Sequence, residues 1–196
     1  MPKRNDIINA AVKEFGEYSY DAASINRIIK ISGTSKGTFY HYFRDKKSLY
    51  FAIIEDAVKI KQAYFARMME DVKQEDSDFF DIMKAQAKAG AQFMLENPGL
   101  WKFGTQFAKE QGQIKKEFEE KYIPSISSSY MKVVEAGIAS KSFTRRYPAD
   151  FIARIIGYVS MNYYDILFDK DDAVTPQAIE QRLDMLFDFL KRGFGG

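Results

Sequence analysis

The stretch from Ser24 to Leu49, SINRIIKISGTSKGTFYHYFRDKKSL, constrains this chain more than any other, because it sets two short helical patterns on either side of one glycine. Ser24 offers a hydroxyl to cap a first helix, in which Ile25, Ile28 and Ile29 fall on one inward stripe. That helix should stop near Ser32, where Gly33 can take the positive φ that ends a helix. Ser35 then caps a second helix, and Phe39 and Phe43, four residues apart, share its buried face. Two helices joined across a glycine turn of this length make a helix-turn-helix.

The outward face of the second helix decides what such a hairpin is for. Lys36, Gly37, Thr38, Tyr40, His41 and Tyr42 lie off the phenylalanine stripe, and no carboxylate interrupts them. A recognition helix in the major groove meets base edges with its N-terminal residues, so Lys36, Gly37 and Thr38 are expected to read sequence. Lys36 can donate to guanine or phosphate, Thr38 can donate, accept or pack its methyl on thymine, and the bare backbone of Gly37 permits close approach. Tyr40, His41 and Tyr42, a turn further on, suit the phosphate backbone, and Ser35 at the cap completes the contact set of this helix. Arg27 on the preceding helix and Lys46 in the first turn of the next are expected to take phosphates as well. Lys46 and Lys47 stand where free N–H groups and the positive dipole end already favour an anion.

Residues 4 to 55, and above all GTSKGTFYHYFRDKKSLY, resemble the N-terminal DNA-binding domain of the TetR (tetracycline repressor) family of bacterial transcriptional regulators. Its Gly-x-Ser-Lys-Gly-x-aromatic-Tyr-x-aromatic-Phe core stands here as Gly33, Ser35, Lys36, Gly37, Phe39, Tyr40, Tyr42 and Phe43, followed by Lys46. Ser19, Ile29 and Thr34 depart from the commonest pattern, which has glycine, alanine and valine there. The resemblance implies base or phosphate contacts at Lys36, Gly37, Thr38, Tyr40, His41, Tyr42 and Lys46, and core packing at Phe39 and Phe43.

Charge follows the same division. Residues 1 to 50 carry nine Lys and Arg against five Asp and Glu, while the remaining residues carry 20 against 22, a basic end on a slightly acidic body. Lys3 and Arg4 form a short basic arm ahead of a first helix whose Ile8, Ala11, Val12 and Phe15 complete a three-helix head. The expected fold is therefore all-α: a helix-turn-helix DNA-binding head over residues 1–47 on a larger helical ligand-binding and dimerisation body over residues 48–196. A long helix from Asp45, striped by Leu49, Ile53, Ala57, Ile60 and Tyr64 and ending near Gln74 to Asp78, joins the two without glycine or proline. Asn97 should cap a helix that begins at Pro98, Pro124 should kink or divide a later one, and Thr175 should cap the last.

The segment from Phe151 to Phe168 is apolar on nearly every side, and the final helix is striped by Ile179, Leu183, Leu186, Phe187 and Leu190. A helix apolar all round must be buried all round. Pairing of these two helices with their copies across a twofold axis would do that, with Ile152, Ile156, Val159, Tyr163, Leu183, Leu186, Phe187 and Leu190 as the contact residues of a homodimer. Phe93, Met94, Trp101, Phe107, Tyr122, Met131, Tyr158 and Met161, with Asn162 and Asp165 as polar anchors, are the candidates for a cavity that takes a hydrophobic or aromatic effector.

Other chemistries find little support. The only histidine is His41, inside the reading helix, so neither a Ser-His-Asp constellation nor a histidine-rich metal site can be built elsewhere. There is no cysteine, and no cofactor motif. No enzyme, metal or membrane partner is expected, and no apolar run approaches a membrane span, so the expected location is the cytoplasm. The expected function is a ligand-responsive transcriptional regulator, a repressor, binding a palindromic double-stranded operator as a dimer. The alternative is a helical small-molecule-binding or scaffolding protein whose head does not bind DNA. The resemblance further implies a switch in which effector shifts the helix carrying Trp101, which tilts the helix starting at Lys46.

Overall fold

The computed structural model describes residues 2–68, 79–169, 172 and 174–194, and every regular element among them is helical. In chain order these are α1 (Pro2–Glu17), α2 (Ile25–Ser32), α3 (Lys36–Tyr42), α4 (Lys46–Met68), α5 (Phe79–Glu96), α6 (Pro98–Ala108), α7 (Gly112–Ala139), α8 (Ala149–Leu167) and α9 (Pro176–Phe194). No described helix is long and apolar enough to cross a membrane. The stretch from Gln74 to Asp78, where α4 was expected to end, lies outside the described residues, as does the side chain of Met161.

The chain divides into two compact units, residues 1–63 with 93–117, and residues 64–92 with 118–196. The first is larger than the three-helix head over residues 1–47, because it takes in much of α4 together with α6 and its flanks. Its hub is α1. Ile7, Ala11 and Phe15 repeat at a spacing of four and are fully enclosed, and α1 packs against α2, α3 and α6. Lys3 and Arg4 are not an arm: both lie in the first turn of α1, and Arg4 donates from Nη1 to Asp56 Oδ2 at 2.9 Å. From α4, Tyr50 is fully buried and stands edge-on to Phe15 at 4.7 Å, to Tyr20 at 5.1 Å and to Phe103 of α6 at 5.3 Å between ring centroids. Aromatic pairs of this kind add about 0.5–1.5 kcal/mol each beyond the area they bury.

The second unit has its own core of Phe80, Val134, Phe143, Ile152, Ile156, Leu183, Leu186, Phe187 and Leu190. This corrects the expected dimer surface. Ile152, Ile156, Leu183, Leu186, Phe187 and Leu190 are all buried inside the chain's own core, with Val159 and Tyr163 packed against it. Side chains already enclosed by their own chain present nothing for a second copy to cover. The opposite stripes are the open ones: Phe151, Ile155, Tyr158 and Ile166 on α8, and Met185 and Phe189 on α9, are exposed.

Three expectations about helix ends also change. Ser24 precedes α2 in extended geometry but makes no side-chain cap; Asn97 turns its Nδ2 back to Phe93 O at 2.9 Å, closing α5 rather than opening α6; and α7 runs unbroken through the exposed Pro124. Thr175 does cap α9, accepting from the Ala178 N–H at 3.1 Å.

Candidate nucleic-acid interface

The turn between α2 and α3 is set locally. Gly33 sits at φ 63° and ψ 20°, the left-handed conformation that costs a residue without Cβ nothing. The next N–H, from Thr34, returns to Ile29 O at 3.3 Å, and the Ser32 hydroxyl also donates to Ile29 O at 3.1 Å. Thr34, where the TetR pattern usually has valine, uses its hydroxyl on that of Ser32 at 2.8 Å. Ser35 is extended, and its Oγ accepts from the Thr38 N–H at 3.1 Å while sharing a hydrogen with the Thr38 hydroxyl at 2.9 Å.

With Phe39 fully enclosed and Phe43 buried beside it, the orientation of α3 is settled. Lys36, Gly37, Tyr40 and His41 are exposed, and Thr38 and Tyr42 are half-buried. A Cβ built on Gly37 would meet nothing closer than Ser35 Oγ at 3.8 Å. The fold therefore leaves room for a side chain at Gly37, and packing gives no reason for the bare backbone there. No residue of α3 is acidic.

Two expected phosphate contacts are occupied within the chain. Arg27 donates from Nε to Glu14 Oε1 at 2.7 Å and from Nη2 to Ala22 O at 2.7 Å, and its guanidinium lies 4.4 Å from the Tyr18 ring centroid. Glu14 is only 2% exposed and also accepts from the Ser24 N–H at 2.8 Å, so Arg27 neutralises a buried carboxylate that holds the start of α2. The Glu14 bond in turn holds the guanidinium in its charged form. Lys46 donates its ammonium to Asp21 O at 3.1 Å and Ala23 O at 3.0 Å and lies over Tyr20. Both cations shape the motif from inside it.

Asp45 and Ser48 close the start of α4 as a reciprocal cap: the Ser48 N–H donates to Asp45 Oδ1 at 2.7 Å and the Asp45 N–H to Ser48 Oγ at 3.1 Å. The Ser48 N–H, with help from Arg44, holds the Asp45 carboxyl below its usual range. The Asp-x-x-Ser spacing is readable in the sequence. Glu14 and Glu110, the two buried acids of the first unit, carry no such signal, because burial is their only distinguishing mark.

The expected effector residues divide between the units. Phe93, Met94, Trp101 and Phe107 belong to the first, with Phe93 buried and the others half-buried; Tyr122, Met131, Tyr158, Asn162 and Asp165 belong to the second. Tyr158 is 65% exposed and Asp165 is exposed too, so neither lines an interior cavity of its unit, and Asn162 spends its Nδ2 on Tyr158 O at 2.8 Å. Their outward direction is that of the open α8 stripe. A cleft of about 360 Å³ does lie in the first unit, but Tyr20, Asp45, Lys46, Lys47, Gln113, Ile114 and Glu117 line it, none of them an expected effector contact.

A helix-turn-helix turned on Gly33, in a chain whose described elements are all helical, is the architecture of helical DNA-binding regulators. The family model for bacterial regulatory proteins of the tetR family matches residues 7–53. The HTH-type transcriptional repressor Rv1474c of Mycobacterium tuberculosis is 35% identical over 65 residues, 33% of this chain and 35% of that protein. The repressor AcnR of Corynebacterium glutamicum is 28% identical over 97 residues, 47% of this chain and 52% of that protein. The chain thus spans about a third to a half of the length of these curated relatives. Over the whole fold, a TetR-family transcriptional regulator from Chloroflexus aurantiacus superposes with a TM-score of 0.77 at 25% identity, covering 99% of this chain and 94% of that one. Over residues 7–53 the chain carries the N-terminal domain of the tetR family of bacterial regulatory proteins, and its fold is similar to that of a TetR-family regulator.

Proposed function

We propose that this protein is a transcriptional repressor that binds a palindromic operator as a homodimer and leaves it when a hydrophobic or aromatic small molecule binds the body. The observation that carries the reading is the exposed, carboxylate-free surface of α3 from Lys36 to Tyr42, aimed outward by the buried Phe39 and Phe43. In this reading Lys36, Gly37 and Thr38 meet base edges, Tyr40, His41 and Tyr42 meet phosphates, and Ser35 holds Thr38 at the groove. Arg27 and Lys46 contribute by positioning rather than by contact.

A palindrome asks for two copies of α3, with half-sites about 34–36 Å apart or a multiple of that spacing. The open stripes of α8 and α9, led by Tyr158, Met185 and Phe189, supply the apolar surface for pairing. The effector reading rests on Phe93, Met94, Trp101 and Phe107 of the first unit, whose apolar character suits a hydrophobic ligand. Displacement of α6 by that ligand would tilt α4 and carry the α3 helices out of register. Switching an operator from almost full to almost empty requires a preference of about 5.5 kcal/mol for the non-binding state.

Selection of duplexes from a random pool by the purified protein, followed by gel-shift titration at several salt concentrations, tests the DNA reading. One palindrome should emerge, and Lys36→Ala should weaken it by about 1–3 kcal/mol while sparing non-specific duplex. Equal, weak binding to every duplex would refute it.

A further inference from the structure

The connection between α1 and α2 closes on itself through the Ala23 N–H to Ser19 O at 2.9 Å, and charged side chains tie it to its surroundings. Lys46 takes Asp21 O and Ala23 O, Arg27 takes Ala22 O, Glu14 takes the Ser24 N–H, and Glu110 Oε1 takes the Tyr20 N–H at 2.6 Å. Glu14, Arg27 and Lys46 stand on helices that enter or leave the helix-turn-helix itself. Glu110 stands 90 residues from Tyr20 in sequence, in the three-residue link between α6 and α7. It is 9% exposed, and its own N–H returns to Phe107 O at 3.0 Å, so the carboxylate moves with the end of α6. The Tyr20 ring is held as well, edge-on to Tyr50, which packs in turn on Phe103 of α6. A buried carboxylate whose one hydrogen bond among the described residues fixes a loop N–H is a short, directional tether.

We propose that Glu110 is a positioning residue for DNA recognition: it ties the α6–α7 link to the α1–α2 connection, so that withdrawal of its carboxylate frees Tyr20 and loosens the seating of α2 and α3. The proposal rests on the DNA-binding reading above, but its first readout does not need DNA. The position of α6 then reaches the recognition helix by a route separate from any tilt of α4.

The test compares Glu110→Gln, Glu110→Asp and Glu110→Ala in the full chain. Gln keeps an acceptor at the same reach without the charge, whereas Asp keeps the charge and retracts the acceptor by one methylene. Amide hydrogen exchange at Tyr20 in the free protein should accelerate about tenfold or more in the Asp and Ala variants and stay near wild type in the Gln variant. Affinity for the duplex selected by the wild-type protein should follow the same order, with losses of about tenfold for Asp and Ala and recovery in Gln. Tyr20 exchange unchanged by the Asp variant, or accelerated with no loss of affinity, would overturn the proposal. So would an Asp variant that outperforms Gln, since that would make the charge rather than the tether the active feature. If Ala does not fold, the Gln and Asp pair still decides the matter. If the wild-type protein selects no sequence, the DNA reading fails while Tyr20 exchange still reports on the tether.

Discussion

Replacing Phe189 by aspartate separates the two surfaces that α9 offers. Phe189 is 71% exposed, outside the stripe that buries Leu183, Leu186 and Leu190. Burying a whole phenylalanine side chain stabilises by about 1.5–3 kcal/mol, so covering the exposed part contributes about 1–2 kcal/mol per copy. A twofold interface counts the residue twice, which makes about 2–4 kcal/mol, or a rise in the dimer dissociation constant of roughly 30-fold to several hundredfold. Forcing a carboxylate into the same place adds a desolvation cost. Phe189→Asp should therefore sediment as a monomer at micromolar concentration with an unchanged far-ultraviolet spectrum and thermal midpoint for the isolated chain. Leu186→Asp is the control that gives the comparison its force. Leu186 is 8% exposed within the chain's own core, so its replacement should cost at least about 3 kcal/mol and appear as unfolding, not as a clean monomer. A Phe189→Asp variant that stays dimeric, or a Leu186→Asp variant that gives a well-folded monomer, would refute the assignment of inner and outer faces.

Gly37→Ala should leave the fold intact and raise stability by up to about 0.5 kcal/mol, because alanine is the better helix former and the space is free, yet it should weaken operator binding on the order of tenfold if the backbone closes on the duplex there. A urea melt and a gel shift on one preparation check both halves, and unchanged DNA affinity would count against a close approach at Gly37. Asp45→Ala should cost about 1 kcal/mol at neutral pH, toward the lower part of the range for a helix cap because the side chain is 42% exposed. The Asp45 pKa is lowered in the folded chain, so its contribution is fully present above the unfolded value near 3.8 and disappears as pH falls through the lower folded value. The gap between wild-type and variant denaturation midpoints should therefore be constant from pH 7 to about 5 and narrow below about 4. A gap that persists undiminished at pH 2 would show that the Asp45 charge is not what caps α4.

Much of α3 is local chemistry, and so it was legible before any tertiary contact was known. Gly33 is needed where φ is positive, Ser35 caps through a bond three residues long, and the spacing of Phe39 and Phe43 dictates which way Lys36, Gly37, Tyr40 and His41 point. Each of these depends on residues within one turn of one another. Charge partners do not. Arg27 and Lys46 look like free cations in sequence because the groups that occupy them, Glu14 and three loop carbonyls, meet them only when α1, α2 and α4 pack.

The C-terminal helices show the same limit from the apolar side. On α8 the pattern showed two apolar faces, since Ile152 and Ile156 alternate with Phe151, Ile155 and Tyr158 around the helix. Periodicity cannot say which of two apolar faces goes inward, because the hydrophobic effect is non-directional and rewards either choice equally. Packing of α8 and α9 with Phe80, Val134 and Phe143 decided it, enclosing one stripe and leaving the other exposed.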